Sequence, residues 1–198
     1  MPGDKLESWA YPREAQFEVA QSVPETAAIP IHDVPLTWDY GDFGYKHFVH
    51  PLDKQPVGER MALAALGLGY GESVEYLGPI FDRMTIVGAK AILHFRNARG
   101  LKSDGDGPLL GFAICGEDRR FAEGEARIVG ETVIVTSPSI TNPVAVTYGF
   151  TSMNHCANLF NGHGLPAYPF RTDKVKSNFL RGCPRHSAIV TRRKSITA

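Results

Sequence analysis

The sequence predicts a fold of mixed class, an α/β part followed by an all-β part. Two helical patterns occupy the first third of the chain, whereas the residues after about 77 form short β-type runs divided by Gly, Asp and Pro turns. The 198 residues are 43% hydrophobic, which is enough for a real core. We therefore predict an α/β part over 1–76, an antiparallel β-sandwich with a closing loop over 77–173, and a mobile tail over 174–198.

The clearest element of the first part is an amphipathic helix that begins near Asp53. The Asp53 carboxylate can accept from the unpaired amides of a first turn, and Pro56 falls inside that turn, where no donor is lost. Apolar residues then recur at helical spacing until glycines end the pattern: Val57, Met61, Ala64, Ala65 and Leu68, then Gly67, Gly69 and Gly71. A shorter helix is predicted over 12–21.

His50 stands just before this helix and is the candidate general base. A histidine at a helix start is fixed by its neighbours yet open to solvent, which suits proton transfer. The alternative is an ordinary surface or capping histidine, and the pattern alone leaves both open. Asp39 and Asp42 lie at the end of a predicted strand over 36–40, and either carboxylate can orient the imidazole.

The second part is predicted to be β-structure because short alternating runs follow one another without helices between them. Ala91, Leu93 and Phe95 alternate onto one face of such a run, and Val129-Gly130-Glu131 has the pattern of a tight hairpin. The predicted strands cover 84–87, 89–95, 109–114, 126–129, 132–136 and 145–150. This succession favours a β-sandwich.

Polar residues gather in a Gly- and Pro-rich segment near the end of the second part, where Asn158 and Arg171 are candidate substrate ligands. A planar guanidinium pairs well with a sugar carboxylate, and an amide binds hydroxyls. The alternative is that these side chains satisfy buried loop backbone and pack the segment onto the first part. That alternative is favoured, because ordered loops need their amides paired.

Composition excludes several classes of partner. The formal net charge is zero, which argues against nucleic acid as the main partner, and no apolar run reaches membrane-spanning length. Cys115, Cys156 and Cys183 are too few and too far apart for a zinc motif or a disulfide framework. We predict no metal and no cofactor. No signal peptide is visible at the first residues, and the compartment stays open.

Three co-linear stretches carry a resemblance to a known family. They are His50-Pro51 with Lys54-Gln55, Val57-Gly58 and Arg60-Met61-Ala62-Leu63-Ala64; Trp9-Ala10-Tyr11 with Arg13-Glu14-Ala15-Gln16; and Asn142 to Val146, Ala157 to Asn161, Gly164 to Ala167 and Pro169 to Asp173. Together these stretches resemble sialate O-acetylesterases, a branch of the SGNH hydrolases. The match runs from about Trp9 to Asp173.

This resemblance implies the C-terminal portion of such an esterase: a partial α/β/α SGNH-hydrolase remnant followed by the β-sandwich. The implied reaction removes O-acetyl groups from sialic acid or a related carbohydrate, with His50 as general base, Asp42 as its carboxylate, and Arg171 and Asn158 on the substrate. No metal or cofactor is implied. Relatives are often secreted or periplasmic.

The sequence also departs from that family in two places. Phe48 occupies the position of the usual carboxylate, so Asp42 serves only if the longer loop folds back, and His47 is a rival base. The sequence holds no Gly-Asp-Ser block for the nucleophile, so we expect that serine in a missing N-terminal part of the same hydrolase. The alternative function is a non-catalytic carbohydrate-binding or structural β-sandwich module.

Overall fold

The protein is described by a computed structural model that covers residues 9–34, 51, 53–151 and 157–172, and every structural statement below concerns these residues. They contain two α-helices, α1 (Ala10–Ser22) and α2 (Gln55–Ala64), and a π-helical turn (Ala65–Gly69) continues α2. The strands follow: β1 (Ile80–Val87), β2 (Lys90–Arg96), β3 (Lys102–Ser103), β4 (Phe112–Cys115), β5 (Phe121–Glu123), β6 (Glu125–Val129), β7 (Thr132–Thr136), β8 (Ala145–Tyr148), β9 (Leu159–Phe160) and β10 (Phe170–Arg171).

Two four-stranded antiparallel sheets form the centre of the described structure. One has the order β1-β2-β7-β6 and the other β10-β8-β4-β5, while β3 and β9 form a small additional pair. Leu93 and Val133 of the first sheet and Ile114 and Tyr148 of the second belong to one buried cluster. Two sheets that share a core make a β-sandwich, and the mixed, β-rich class with antiparallel sheets agrees with the prediction.

Alternation of side chains sets the register of the first sheet. Ala91 and Leu93 have no exposed surface and lie opposite Val135 and Val133, which are equally buried. The predicted hairpin is confirmed, because Val129 pairs with Thr132 across a two-residue turn. Gly130 has a φ of 59° in that turn, a left-handed conformation that glycine adopts without a Cβ clash.

Helix α1 packs against the sandwich through aromatic side chains. Tyr11 meets Phe150 edge to face at 5.4 Å between ring centroids, and Phe17 lies 4.5 Å from Tyr168. The Tyr168 hydroxyl also donates to the carbonyl of Ala28, which fixes the chain that leaves the helix. These contacts join the N-terminal helix and the sandwich in one packed unit.

Helix α2 differs in detail from its predicted start and its predicted buried face. It begins at Gln55 with Lys54 at the N-cap, one residue later than the predicted N-cap Asp53, and Asp53 Oδ1 accepts from the Gln55 amide at 2.9 Å. Arg60 and Ala64 are its buried side chains, whereas Met61 keeps 60% of its surface exposed and Leu66 of the π turn keeps 38%. Much of the predicted apolar stripe therefore faces outward within the described structure.

The predicted division of the chain stays a prediction. The described helices precede Tyr70 and the described strands follow Pro79, but α1 is packed on the sandwich rather than apart from it. The predicted strand over 36–40 and the predicted tail over 174–198 lie outside the described residues. The SGNH-hydrolase remnant stays a prediction.

Candidate active site

The two predicted catalytic residues, His50 and Asp42, lie outside the described residues, as do Asp39 and His47. The carbonyl of Pro51, the next residue that the structure describes, accepts a 2.9 Å hydrogen bond from Lys54 Nζ. This bond joins Pro51 to Lys54, the residue directly before α2. The catalytic assignment of His50 and Asp42 stays a prediction.

Arg171, a predicted substrate ligand, is engaged by the N-terminal helix. Its Nε and Nη2 donate to the two carboxylate oxygens of Glu14 at 2.9 and 2.8 Å. The guanidinium carbon also lies 5.3 Å from the ring centre of Tyr11 and 5.1 Å from that of Phe150. A bidentate ion pair between aromatic rings anchors α1 to β10.

Asn158, the other predicted substrate ligand, is 2% exposed and holds a loop of the sandwich. Its Oδ1 accepts from the Leu110 amide at 2.7 Å, and its Nδ2 donates to the Pro108 carbonyl at 3.0 Å. These contacts are of the kind that the sequence analysis favoured, in which polar side chains satisfy buried backbone. Substrate binding by Asn158 or Arg171 stays a prediction.

A second buried ion pair joins Asp33 to Arg60. The Nη1 and Nη2 atoms of Arg60 donate to the two Asp33 oxygens at 2.7 and 2.6 Å, and Nη1 also donates to the Pro30 carbonyl at 2.8 Å. The side chains of Arg60 and Asp33 are 11% and 17% exposed. This pair attaches α2 to the segment that ends at Val34.

His32, next to Asp33 in sequence, is buried on the other side against Tyr148. The two ring centres lie 6.4 Å apart in an edge-to-face arrangement. Neither imidazole nitrogen has a hydrogen-bond partner in the described structure, and the same holds for Arg13 Nε. Burial lowers the pKa of His32 to about 4; Asp33 partly opposes this shift, and the charges of Arg13 and Arg60 add to it by smaller amounts, so the ring is neutral at pH 7.

The two ion pairs are not evident as pairs in the sequence, although Arg60 gives a visible signal of one of them. Arg60 lies three residues after Val57 and four before Ala64, so it shares the apolar face of the predicted helix. A charged residue on such a face indicates a buried partner. The partner of Arg171 is 157 residues away, and no local pattern points to it.

The described residues hold neither a candidate metal site nor a candidate membrane-spanning helix. They contain no group of three or more His, Cys, Asp or Glu side chains placed to bind a metal ion. No helix among them has the length and apolar character needed to cross a bilayer.

Fold and contacts together define an antiparallel β-sandwich that carries helices on its surface through buried ion pairs. No protein-family model matches the chain, and no curated protein matches it. Among solved structures, it is similar to XAC1771, described as a novel carbohydrate acetylesterase from Xanthomonas citri, with 39% sequence identity and a TM-score of 0.75. The match covers 84% of this chain and 37% of the acetylesterase chain.

This comparison supports a general likeness to carbohydrate esterases, since 39% identity extends over most of the chain. Because the chain spans about a third of the acetylesterase, the activity of that whole protein is a proposal for this one. The same applies to its substrate and to every residue role within the reaction.

Proposed function

We propose that the chain forms the histidine-bearing portion of a carbohydrate O-acetylesterase of the sialate O-acetylesterase type. The observation that carries the proposal is the similarity to the Xanthomonas citri acetylesterase over 84% of this chain. The co-linear sequence motifs around His50 and Arg171, which resemble those of sialate O-acetylesterases, support the narrower assignment to sialate or a related acetylated sugar. The product would be acetate and the free sugar hydroxyl.

In this proposal His50 takes the proton of a serine hydroxyl as the hydroxyl attacks the acetyl carbonyl. Asp42 would hold the imidazole in the tautomer that accepts at one nitrogen and donates at the other. General-base assistance of this kind contributes about a hundred- to ten-thousand-fold in rate. Without such a base, a serine hydroxyl is a weak nucleophile.

The serine would come from the remaining part of the hydrolase. The outward face of α2 supports this partner, because Met61 and Leu66 expose apolar surface next to Ala62 and Ala65 at helical spacing. Contiguous apolar surface of this kind is typical of a face that another protein element covers. We therefore propose that the serine-bearing part packs on α2.

The test is hydrolysis of an aryl acetate and of an O-acetylated sialic acid, by the 198 residues alone and by the protein that includes the serine-bearing part. We expect turnover in the second case that falls at least about a hundredfold in His50→Ala. His94→Ala is the matched control, since His94 lies on the outer face of β2 beside Arg83 and Thr85. Turnover by the 198 residues alone would refute the missing serine.

A second candidate is a non-catalytic carbohydrate-binding or structural β-sandwich module. The structural form of this alternative is favoured by the internal contacts of Arg171 with Glu14 and of Asn158 with the loop at Pro108. Binding of the acetylated sugar with no His50-dependent turnover in either protein would support this module and overturn the esterase.

A further inference from the structure

We propose that the exposed loop after β3 is a site of spontaneous chemical modification, in which Asp104 and Asp106 convert to isoaspartate. The sequence at this point is Ser103-Asp104-Gly105-Asp106-Gly107, so each aspartate directly precedes a glycine. The reaction is separate from the proposed esterase chemistry and uses none of the residues assigned to it. Failure of the esterase proposal therefore leaves this one unchanged.

The chemistry of an Asp-Gly pair needs water and no other reactant. The glycine amide nitrogen attacks the side-chain carboxyl carbon of the aspartate, and a C–N bond forms. The amide hydrogen and the carboxyl hydroxyl leave together as water, which gives a cyclic succinimide. Water then adds to either ring carbonyl and breaks its bond to the nitrogen. Addition at one carbonyl restores aspartate, and addition at the other gives isoaspartate, whose main chain runs through the former side chain.

The structure leaves both Asp-Gly pairs accessible to this reaction. Residues 104–108 are all exposed to solvent, and a Cβ built on Gly105 would meet nothing within 4 Å. Within the described part of the chain, the amides of Gly105 and Gly107 donate to no other atom, so neither attacking nitrogen is held by a hydrogen bond. Glycine also gives the backbone the freedom that ring closure requires.

Asn161-Gly162 is the third pair of this kind in the sequence, and the structure protects it. An Asn-Gly pair closes the same ring with loss of ammonia, and in unfolded peptides it reacts faster than Asp-Gly. Asn161 is 2% exposed, and its Oδ1 accepts from the amides of His163 and Leu165 at 3.1 and 3.0 Å. The Gly162 amide, which would have to attack, donates to the Arg99 carbonyl at 2.9 Å. Ring closure here therefore requires local opening of the fold.

Ser103 restrains the reactive loop. Its hydroxyl donates to the carbonyls of Gly105 and Gly107 at 3.0 and 3.3 Å. These carbonyls lie on either side of Asp106, so the two bonds limit rotation of the main chain into the geometry of ring closure. Asp104 has a further restraint, because its amide donates at 3.0 Å to the carbonyl of the residue before β9. Loss of the Ser103 hydroxyl is therefore expected to release Asp106 more than Asp104.

The first experiment follows the three pairs in the 198-residue chain, at neutral pH in water labelled with a heavy oxygen isotope. Peptide mass spectrometry locates the label that ring hydrolysis introduces, and electron-transfer fragmentation distinguishes isoaspartate from aspartate. In the folded protein we expect conversion at Asp104 and Asp106 and severalfold less at Asn161. In urea, Asn161 is expected to become the fastest of the three. Equal or faster conversion at Asn161 in the folded protein, or conversion of the aspartates in urea alone, would overturn the proposal.

The second experiment compares Ser103→Ala with the matched control Ser22→Ala. The Ser22 hydroxyl also donates to two carbonyls, at 2.9 and 3.1 Å, but at the end of α1. We expect Ser103→Ala to raise the rate of conversion at Asp106 severalfold, with a smaller rise at Asp104, and Ser22→Ala to change neither rate. An unchanged rate at Asp106 in Ser103→Ala, or an equal rise in Ser22→Ala, would overturn the restraint by Ser103.

The third experiment assigns the modified positions through Asp104→Glu and Asp106→Glu. Glutamate keeps the charge of these exposed side chains, but its longer side chain would have to close a larger ring, which forms far more slowly. Each variant is expected to lose conversion at its own position and to retain conversion at the other. An undiminished total of isoaspartate in the variant that carries both changes would overturn the assignment to this loop.

Discussion

Acid is expected to weaken the fold through His32, because this buried imidazole is held neutral. Its pKa is about 4 in the folded protein and about 6.5 when the chain is unfolded. Between these pH values the unfolded state binds more protons than the folded state. The contribution of His32 to the free energy of unfolding is therefore fully present above about pH 6.5 and is lost as the pH falls towards 4. The difference of about 2.5 units corresponds to at most roughly 3.5 kcal/mol, at about 1.4 kcal/mol per unit.

Burial gives this loss its sign, because the protonated imidazole would be charged in an interior that water does not reach. Among the neighbouring charges, the Asp33 carboxylate favours a protonated ring, and Arg13 from α1 and Arg60 from α2 oppose it by smaller amounts, so Asp33 does not overcome the effect of burial. Tyr148, which contacts the ring edge to face, supplies no charge to stabilise an imidazolium, since burial raises the pKa of its hydroxyl.

The perturbation is His32→Phe, which keeps a ring against Tyr148 and removes both unpartnered nitrogens. Urea unfolding between pH 4.5 and 7.5 gives the free energy of unfolding of each protein, and the difference between them isolates the His32 contribution. We expect the wild-type chain to lose stability relative to His32→Phe as the pH falls, and His32→Leu to serve as a second variant of smaller volume. A difference that is constant with pH for both variants would refute the reasoning.

Three further predictions concern stability and are checked by thermal or urea unfolding. Gly78→Ala is expected to lower the free energy of unfolding by about 3 kcal/mol or more, because a Cβ there would lie 1.9 Å from the Pro166 carbonyl oxygen. The control Gly58→Ala in α2 places a Cβ where nothing lies within 4 Å and should stabilise the protein by about 0.5–1 kcal/mol. Equal effects at the two glycines would contradict this prediction. Asn161→Ala is expected to cost about 2–4 kcal/mol, since its side chain bonds the Leu77 carbonyl and the amides of residues 163 and 165, and a loss under 1 kcal/mol would show that these bonds contribute little. Arg171→Lys should lose about 1–2 kcal/mol despite retaining its charge, because it cannot form the two-bond fork to Glu14; an unchanged midpoint would argue against the fork.

The larger strands could be predicted because their side chains alternate. The runs ending in the hairpin turns at Gly88 and Gly130 became β1, β2, β6 and β7 with small shifts at their ends. The two-residue strands β3, β9 and β10 were not predicted, since two residues are too short for a period to show. These short strands pair because the tertiary structure of the surrounding chain brings them together.

The candidate site was less accessible to sequence reasoning. Residue types indicated that Arg171 and Asn158 are polar groups in an ordered loop, but their partners Glu14 and Pro108 are distant in the chain. The buried face of α2 is less apolar than predicted. The helix buries Arg60, which pairs with Asp33, and leaves Met61 exposed. Tertiary ion pairs thus overrode the periodic pattern.

The link between Glu14 and Arg171 also matters for anyone who wishes to produce the sandwich by itself. In a fragment that starts at residue 77, Arg171 of β10 would lose its partner Glu14. Phe150 and Tyr168 would lose their contacts with Tyr11 and Phe17 of α1. Such a fragment would tend to aggregate through that uncovered aromatic surface. Retaining residues 9–34 in the fragment, or supplying them as a separate peptide, is the practical remedy.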